Sequence, residues 1–145
     1  MGRILSDRRL STLKQTRAIP GPTGIPEDSG AAQLRHLRLA VSTLDEHKAG
    51  DIIVLDLRQL SDAADYFIVA SGSSDVHVRA LAEHVEDALS RAGQETHHVE
   101  GMKSGRWALL DYVDFVIHIF HPTLRRFYQL ERLWADAPSF SGGSF

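Results

Sequence analysis

Two carboxylates three positions apart, Asp111 and Asp114, lie between two apolar runs in GRWALLDYVDFVIHIFH, residues 105–121. Carboxylates held close together can bind a divalent cation or divide acid and base work. Aspartate is also a common turn residue that accepts a hydrogen bond from backbone two positions on, and turn duty is the commoner role. The runs from Trp107 to Leu110 and from Phe115 to Phe120 are rich in aromatic and branched residues and read as a β-hairpin. If the two acids flank a two-residue turn, Leu110 faces Phe115, Leu109 faces Val116, Ala108 faces Ile117 and Trp107 faces His118. Side chains alternate between faces. One face then collects Ala108, Leu110, Phe115, Ile117 and Ile119 and belongs to the core. The other collects Trp107, Leu109, Asp111, Asp114, Val116, His118 and Phe120. Large aromatics mixed with a few acids suit a protein-binding patch. They suit equally a face that a helix covers.

Two further patterns could carry chemistry. Gly72-Ser73-Ser74 follows one apolar run and precedes a helical pattern, a place where a turn can cradle phosphate. Nucleotidyl transfer would also need metal-holding carboxylates, usually an Asp-x-Asp on the next strand. Asp75 is followed two places on by His77, so that constellation is incomplete. There are eight histidines. His97 and His98 are adjacent and point to opposite faces of a strand; His118 and His121 point apart if the strand reaches 121. His77 and His84 are two helical turns apart. No convergent ligand set emerges, so no metal and no cofactor are expected.

The elements that must position these residues follow from periodicity. Residues 1–30 are read as a disordered or loosely attached extension, because PGPTGIPEDSG packs three prolines and three glycines into eleven positions. Arg3, Arg8, Arg9, Lys14 and Arg17 against Asp7 fit an organellar presequence or a bacterial extension, and the missing amphipathic stripe favours the extension. Leu34, Leu37, Val41 and Leu44 predict a helix over 31–48, stopped by Gly50. Strands are expected at 52–57, 66–71 and 95–100. Ser73, Ser74 or Asp75 can cap a second helix, whose stripe is Val78, Leu81, Ala82, Val85 and Leu89 and whose end is Gly93. Pro122 suits the first turn of a last helix with Leu124, Phe127, Tyr128, Leu130, Leu133 and Trp134 on its apolar face. A flexible tail is expected over 137–145. The order α-β-β-α-β-β-β-α gives an α/β class with mixed α+β character: one domain over 31–136, a single five-stranded mixed sheet flanked by helices.

Bulk properties narrow the function classes. The chain has 145 residues, 43% hydrophobic and 24% charged, as in an ordinary single globular domain. A net charge of −3 gives no global basic field, so sequence-specific nucleic-acid binding is not expected. No apolar run approaches the roughly 20 residues of a membrane helix. Absence of cysteine excludes disulfides, cysteine zinc sites and a thiol nucleophile, and suits a cytoplasmic location.

Four blocks, DYFIVASGSS (65–74), HHVEG (97–101), WALLDYVDFVIHIF (107–120) and RFYQLERLW (126–134), together resemble the ribosomal silencing factor family, RsfS or Iojap, over about 45–136. The resemblance implies a small mixed α/β domain related to nucleotidyltransferases but without their active site. It implies a non-enzymatic factor that binds the large ribosomal subunit through large-subunit ribosomal protein fourteen. By occupying the face that meets the small subunit, it would block subunit joining and lower translation when nutrients are scarce. Homodimers are often formed by members. Carried onto matching positions, the partner-binding residues are Trp107, Leu109, Asp111, Tyr112, Asp114 and His118, with Glu100 and Gly101 at the edge. Trp107 and Leu109 would be apolar anchors, with Trp107→Ala costing about 2 kcal/mol of binding. Asp111 and Asp114 would face basic groups, and Trp134 would pack inside. Val113 stands where members usually have glycine in a D-Y-G-D-type turn. Glycine takes a positive φ cheaply and valine does not, so a reshaped turn is expected. Ser73 stands where the family often has asparagine, and His77 near a frequent glutamine. Alternatives are a nucleotide-binding enzyme built on Gly72-Ser73-Ser74, or an interaction module with a non-ribosomal partner.

Overall fold

Helix α1 spans Glu27–Glu46 in the computed structural model, which describes residues 27–128, 132, 135–142 and 145. The expected loose extension lies outside the described residues as far as position 26, but 27–30 already belong to α1. Leu37, Val41 and Leu44 of the expected stripe are buried together with Ala40, while Leu34 is partly buried against the same core. The helix ends before Gly50. Lys48 takes the left-handed conformation, at φ 68, and the Ala49 amide reaches back to the Leu44 carbonyl at 2.9 Å. Gly50 instead opens strand β1, Gly50–Asp56.

Strand β2 is Tyr66–Ser71. Helix α2, Asp75–Arg91, is capped by Ser74, whose Oγ accepts from the His77 amide at 3.1 Å. All five residues of its expected stripe are buried, each contributing about 1.5–3 kcal/mol where the side chain is large. Gly93, at φ 90, follows its end. Strand β3 is only His98–Glu100, because 95–97 belong to the approach loop. Strands β4, Trp107–Asp111, and β5, Phe115–Phe120, form the hairpin. Helix α3 covers Pro122–Tyr128. Its expected continuation to Trp134 lies outside the described residues except for Arg132, which is helical.

Among the described residues the sheet has six strands, not five. Strand β6, Ser139–Ser141, pairs antiparallel with β1 and gives the order β3-β4-β5-β2-β1-β6. Among the described strands only β2 and β5 pair in parallel. Ser139–Ser141, within the tail expected to be flexible, are thus part of the fold. They cap the edge of β1, the Asp56 amide donates to the Pro138 carbonyl at 2.9 Å, and the Arg38 Nε donates to the Phe145 carbonyl at 3.3 Å. A strand edge left bare would expose a row of unpaired backbone groups. One sheet face packs under α1 and α2. The other holds a second core of Leu55, Phe67, Val69, Trp107, Leu109, Val116 and Phe120.

Candidate functional site

The hairpin register differs from expectation by two residues. Trp107 pairs with Phe120, Leu109 with His118, Leu110 with Ile117 and Asp111 with Val116. The Tyr112 amide donates to the Phe115 carbonyl at 2.9 Å, so the two turn residues are Val113 and Asp114 rather than Tyr112 and Val113. A shift of two keeps every side chain on its expected face. The turn itself decides the register. Val113 sits at φ 73, with the Asp114 amide donating to the Tyr112 carbonyl at 2.9 Å, the geometry of a strained γ-turn. Valine therefore adopts the left-handed backbone that glycine would take, and the turn is not reshaped to avoid it. Asp111 makes this tenable: its Oδ1 accepts from the Val113 amide at 2.8 Å. That is the turn duty expected of an aspartate.

Tyr112 shares the inner face with Ala108 and Leu110. It is 3% exposed and stacks on Phe115 with ring centroids 5.0 Å apart. Its hydroxyl is buried without a hydrogen-bond partner among the described residues, and burial holds its pKa above the ordinary tyrosine range. The expectation that Tyr112 meets a partner is corrected to a core position.

The mixed outer face is covered. Trp107 is 4% exposed and Leu109 6%, while His118 is fully buried. Leu57 and Ala64 from the β1–β2 connection, Leu124 of α3 and Ala137 pack into the same cluster. The Trp107 indole lies 4.8 Å from the Phe120 ring, and its Nε1 donates to His118 Nδ1 at 3.0 Å. That bond requires Nδ1 to be the unprotonated nitrogen. Of the two readings open for this face, the structure has the covered one. Trp107, Leu109 and His118 are interior residues, not displayed anchors.

What the hairpin does present is its end. Val113 is 47% exposed, Asp114 is exposed, and Asp111 is half-buried. The neighbouring β2 begins here too, and the Asp114 carbonyl accepts from the Asp65 amide at 2.7 Å. Asp65, Asp111 and Asp114 give this end of the sheet a negative rim around an apolar tip. Glu100 and Gly101 are half-buried on the adjoining edge, where His98 Nε2 meets Glu100 Oε2 at 2.9 Å. Periodicity could not single out Val113, because its exposure follows from the turn position that the register gives it.

The other candidate groups have structural partners. A Cβ on Gly72 would lie 2.7 Å from Val78 Cγ2, so the glycine serves the tight strand-to-helix turn. His77 Nδ1 accepts from the Ser73 amide at 2.8 Å, and its Nε2 donates to the His47 carbonyl at 2.9 Å. His47 stacks on His84 at 3.6 Å, a pairing hidden from the sequence because it joins the loop after α1 to α2. Among the described residues no three acids, histidines or cysteines are grouped to hold a metal ion, and no helix is long and apolar enough to cross a membrane.

Comparison with known proteins places the fold. The family described as "Ribosomal silencing factor during starvation" matches residues 31–143. The chain belongs to this family. A ribosomal silencing factor of Bacillus subtilis is 40% identical over 102 residues, covering 70% of this chain and 86% of that protein. A crystal structure of a Chromobacterium violaceum protein aligns with a TM-score of 0.69 at 38% identity, over 70% of this chain and 85% of that one. A more distant mouse relative, "Mitochondrial assembly of ribosomal large subunit protein 1", is 29% identical over 126 residues and 53% covered. The role of this ribosomal silencing factor is therefore regulatory and directed at the ribosome. The matched span also takes in β6, the strand that sequence periodicity missed.

Proposed function

We propose that this silencing factor docks on the large ribosomal subunit, through large-subunit ribosomal protein fourteen, and excludes the small subunit by its bulk. The end of the β4–β5 hairpin carries the reading: an exposed apolar tip, Val113, inside a negative rim. Asp111 and Asp114 meet basic groups on the partner, with Glu100 and Gly101 on the flank. Trp107, Leu109, Tyr112 and His118 act from beneath by holding the hairpin's shape. A mouse relative named for large-subunit assembly agrees with that choice of subunit. No bond is made or broken, and the factor works in the cytoplasm without nucleotide. Homodimers are not needed for exclusion.

Co-sedimentation with separated subunits tests the proposal. Wild type should travel with the large subunit alone, less at high salt because exposed charges are screened beyond about 8 Å at physiological ionic strength. Asp114→Arg and Val113→Asp change exposed residues and should weaken binding about tenfold or more without unfolding the domain. Binding by both variants equal to wild type would remove the hairpin end from the interface.

A further inference from the structure

The parallel pair β2–β5 has two ends, and the proposed docking surface uses only one. At the end that holds Tyr66 and Phe115, the hairpin turns. At the opposite end, beyond Ser71 and Phe120, a cleft of about 820 Å³ opens. Loops leaving the carboxyl ends of parallel strands are where α/β sheets commonly bind ligands, and 300–1,000 Å³ is the usual size range of small-molecule sites, by about a factor of three.

The lining is chemically biased. Among the described residues, Lys48, Arg125, Arg126 and Arg132 border it, against one acid, Asp51. These four cations come from three separate places: the left-handed turn after α1, helix α3, and the helical position 132. In a chain of net charge −3, such a concentration is a local feature and not a reflection of composition. Arg125 is 8% exposed, and its Nη1 donates to Ser71 Oγ at 2.9 Å, which fixes the guanidinium on the cleft wall. Gly72, Ser73 and the apolar Ile52, Ile53 and Pro122 also line it. Arginine forks pair well with phosphate oxygens, and a partly closed site strengthens that pairing relative to open water.

We propose that this cleft binds a small polyphosphate ligand, of the nucleoside di- or triphosphate class. Lys48 and Arg126, exposed cations of the lining, take the phosphates, and the apolar lining residues take the flat, uncharged part of the ligand. Among the described lining residues Asp51 is the one acid, too few to hold magnesium, so binding is carried by side-chain cations and not by a metal. This is a binding site without transfer chemistry, separate from the hairpin end.

Calorimetric titration of the whole chain with pyrophosphate, guanosine triphosphate and guanosine tests it, each with and without a chelator. Guanosine triphosphate should bind more tightly than pyrophosphate, guanosine alone should bind weakly, and chelation should change nothing. Lys48→Glu and Arg126→Glu reverse charges at exposed positions and should each weaken the triphosphate about tenfold, the worth of one charge-assisted contact. Circular dichroism should show both variants folded, and both should still sediment with the large subunit, which separates this test from the docking proposal. Absence of binding up to millimolar ligand, binding that needs magnesium, or binding unchanged in both variants would each overturn the proposal. So would variants that lose the large subunit while no nucleotide binds, because the cleft would then belong to the ribosome contact.

Discussion

Replacing Trp107 separates a core role from a displayed one. The indole is 4% exposed, packs on Phe120 at 4.8 Å and donates to His118 Nδ1 at 3.0 Å. Truncating a buried large aromatic to alanine costs about 3–5 kcal/mol through lost transfer energy and the cavity left behind. Removing the donor to a buried acceptor adds a penalty of about 1–3 kcal/mol, not fully additive with the first. Trp107→Ala should therefore lose about 4–5 kcal/mol, a large share of the roughly 5–15 kcal/mol that a domain has. Trp107→Phe keeps most of the packing, loses the bond, and should cost about 2 kcal/mol. At roughly 4 °C per kcal/mol for a domain of this size, melting should fall by about 16 °C and about 8 °C respectively. Thermal and urea unfolding, followed by circular dichroism, read both. Large-subunit binding should be measured well below each melting point, where folded Trp107→Phe should bind as wild type. A Trp107→Ala protein that melts within about 2 °C of wild type, yet fails to bind, would refute the interior placement and restore the displayed anchor.

Three further substitutions probe the same frame. Tyr112→Phe removes a buried hydroxyl that has no partner among the described residues, so stability at neutral pH should be unchanged or higher by up to about 1 kcal/mol. The raised Tyr112 pKa means that its neutral form stabilises the fold below the unfolded value near pH ~10 and that this advantage is lost as pH rises towards the folded value; Tyr112→Phe should flatten that alkaline decline. Val113→Gly relieves a left-handed β-branched residue and should stabilise by about 0.5–1 kcal/mol in urea unfolding, after the greater freedom of glycine in the unfolded chain is offset. The Arg58 guanidinium grips Asp56 at 2.7 and 3.0 Å and holds its carboxyl below the usual carboxylate range. That contribution is present above about pH 4 and is lost as pH falls through the folded value, so Asp56→Asn should differ from wild type at pH 7 and converge with it near pH ~2 in an acid unfolding series.

The helices were legible because their buried faces repeat at helical spacing: the five apolar residues of α2 are the ones that bury. The faces of the hairpin were legible for a related reason, since alternation survives a register shift of two. The register was not, because it depends on whether valine accepts a positive φ, and an Asp111 side chain that bonds the Val113 amide settles that locally. Strand β6 was hidden in a short polar Ser-Phe-Ser segment that has no pattern of its own and forms only because β1 offers an edge. Whether the Trp107 face meets water or protein could not be read from a pattern of aromatics and acids; Leu57, Ala64, Leu124 and Ala137 decide it from far along the chain. The basic cleft has no sequence signature for the same reason, with Lys48 separated by more than seventy positions from Arg125 and Arg126.

The steric account is tested most directly by subunit joining. Purified small and large subunits are mixed with increasing amounts of the protein, without nucleotide, and joined ribosomes are quantified on a sucrose gradient. The account predicts that joining falls as the protein occupies the large subunit, and that excess small subunit restores it. Joining that is blocked without large-subunit occupancy, or a block that excess small subunit cannot relieve, would contradict it.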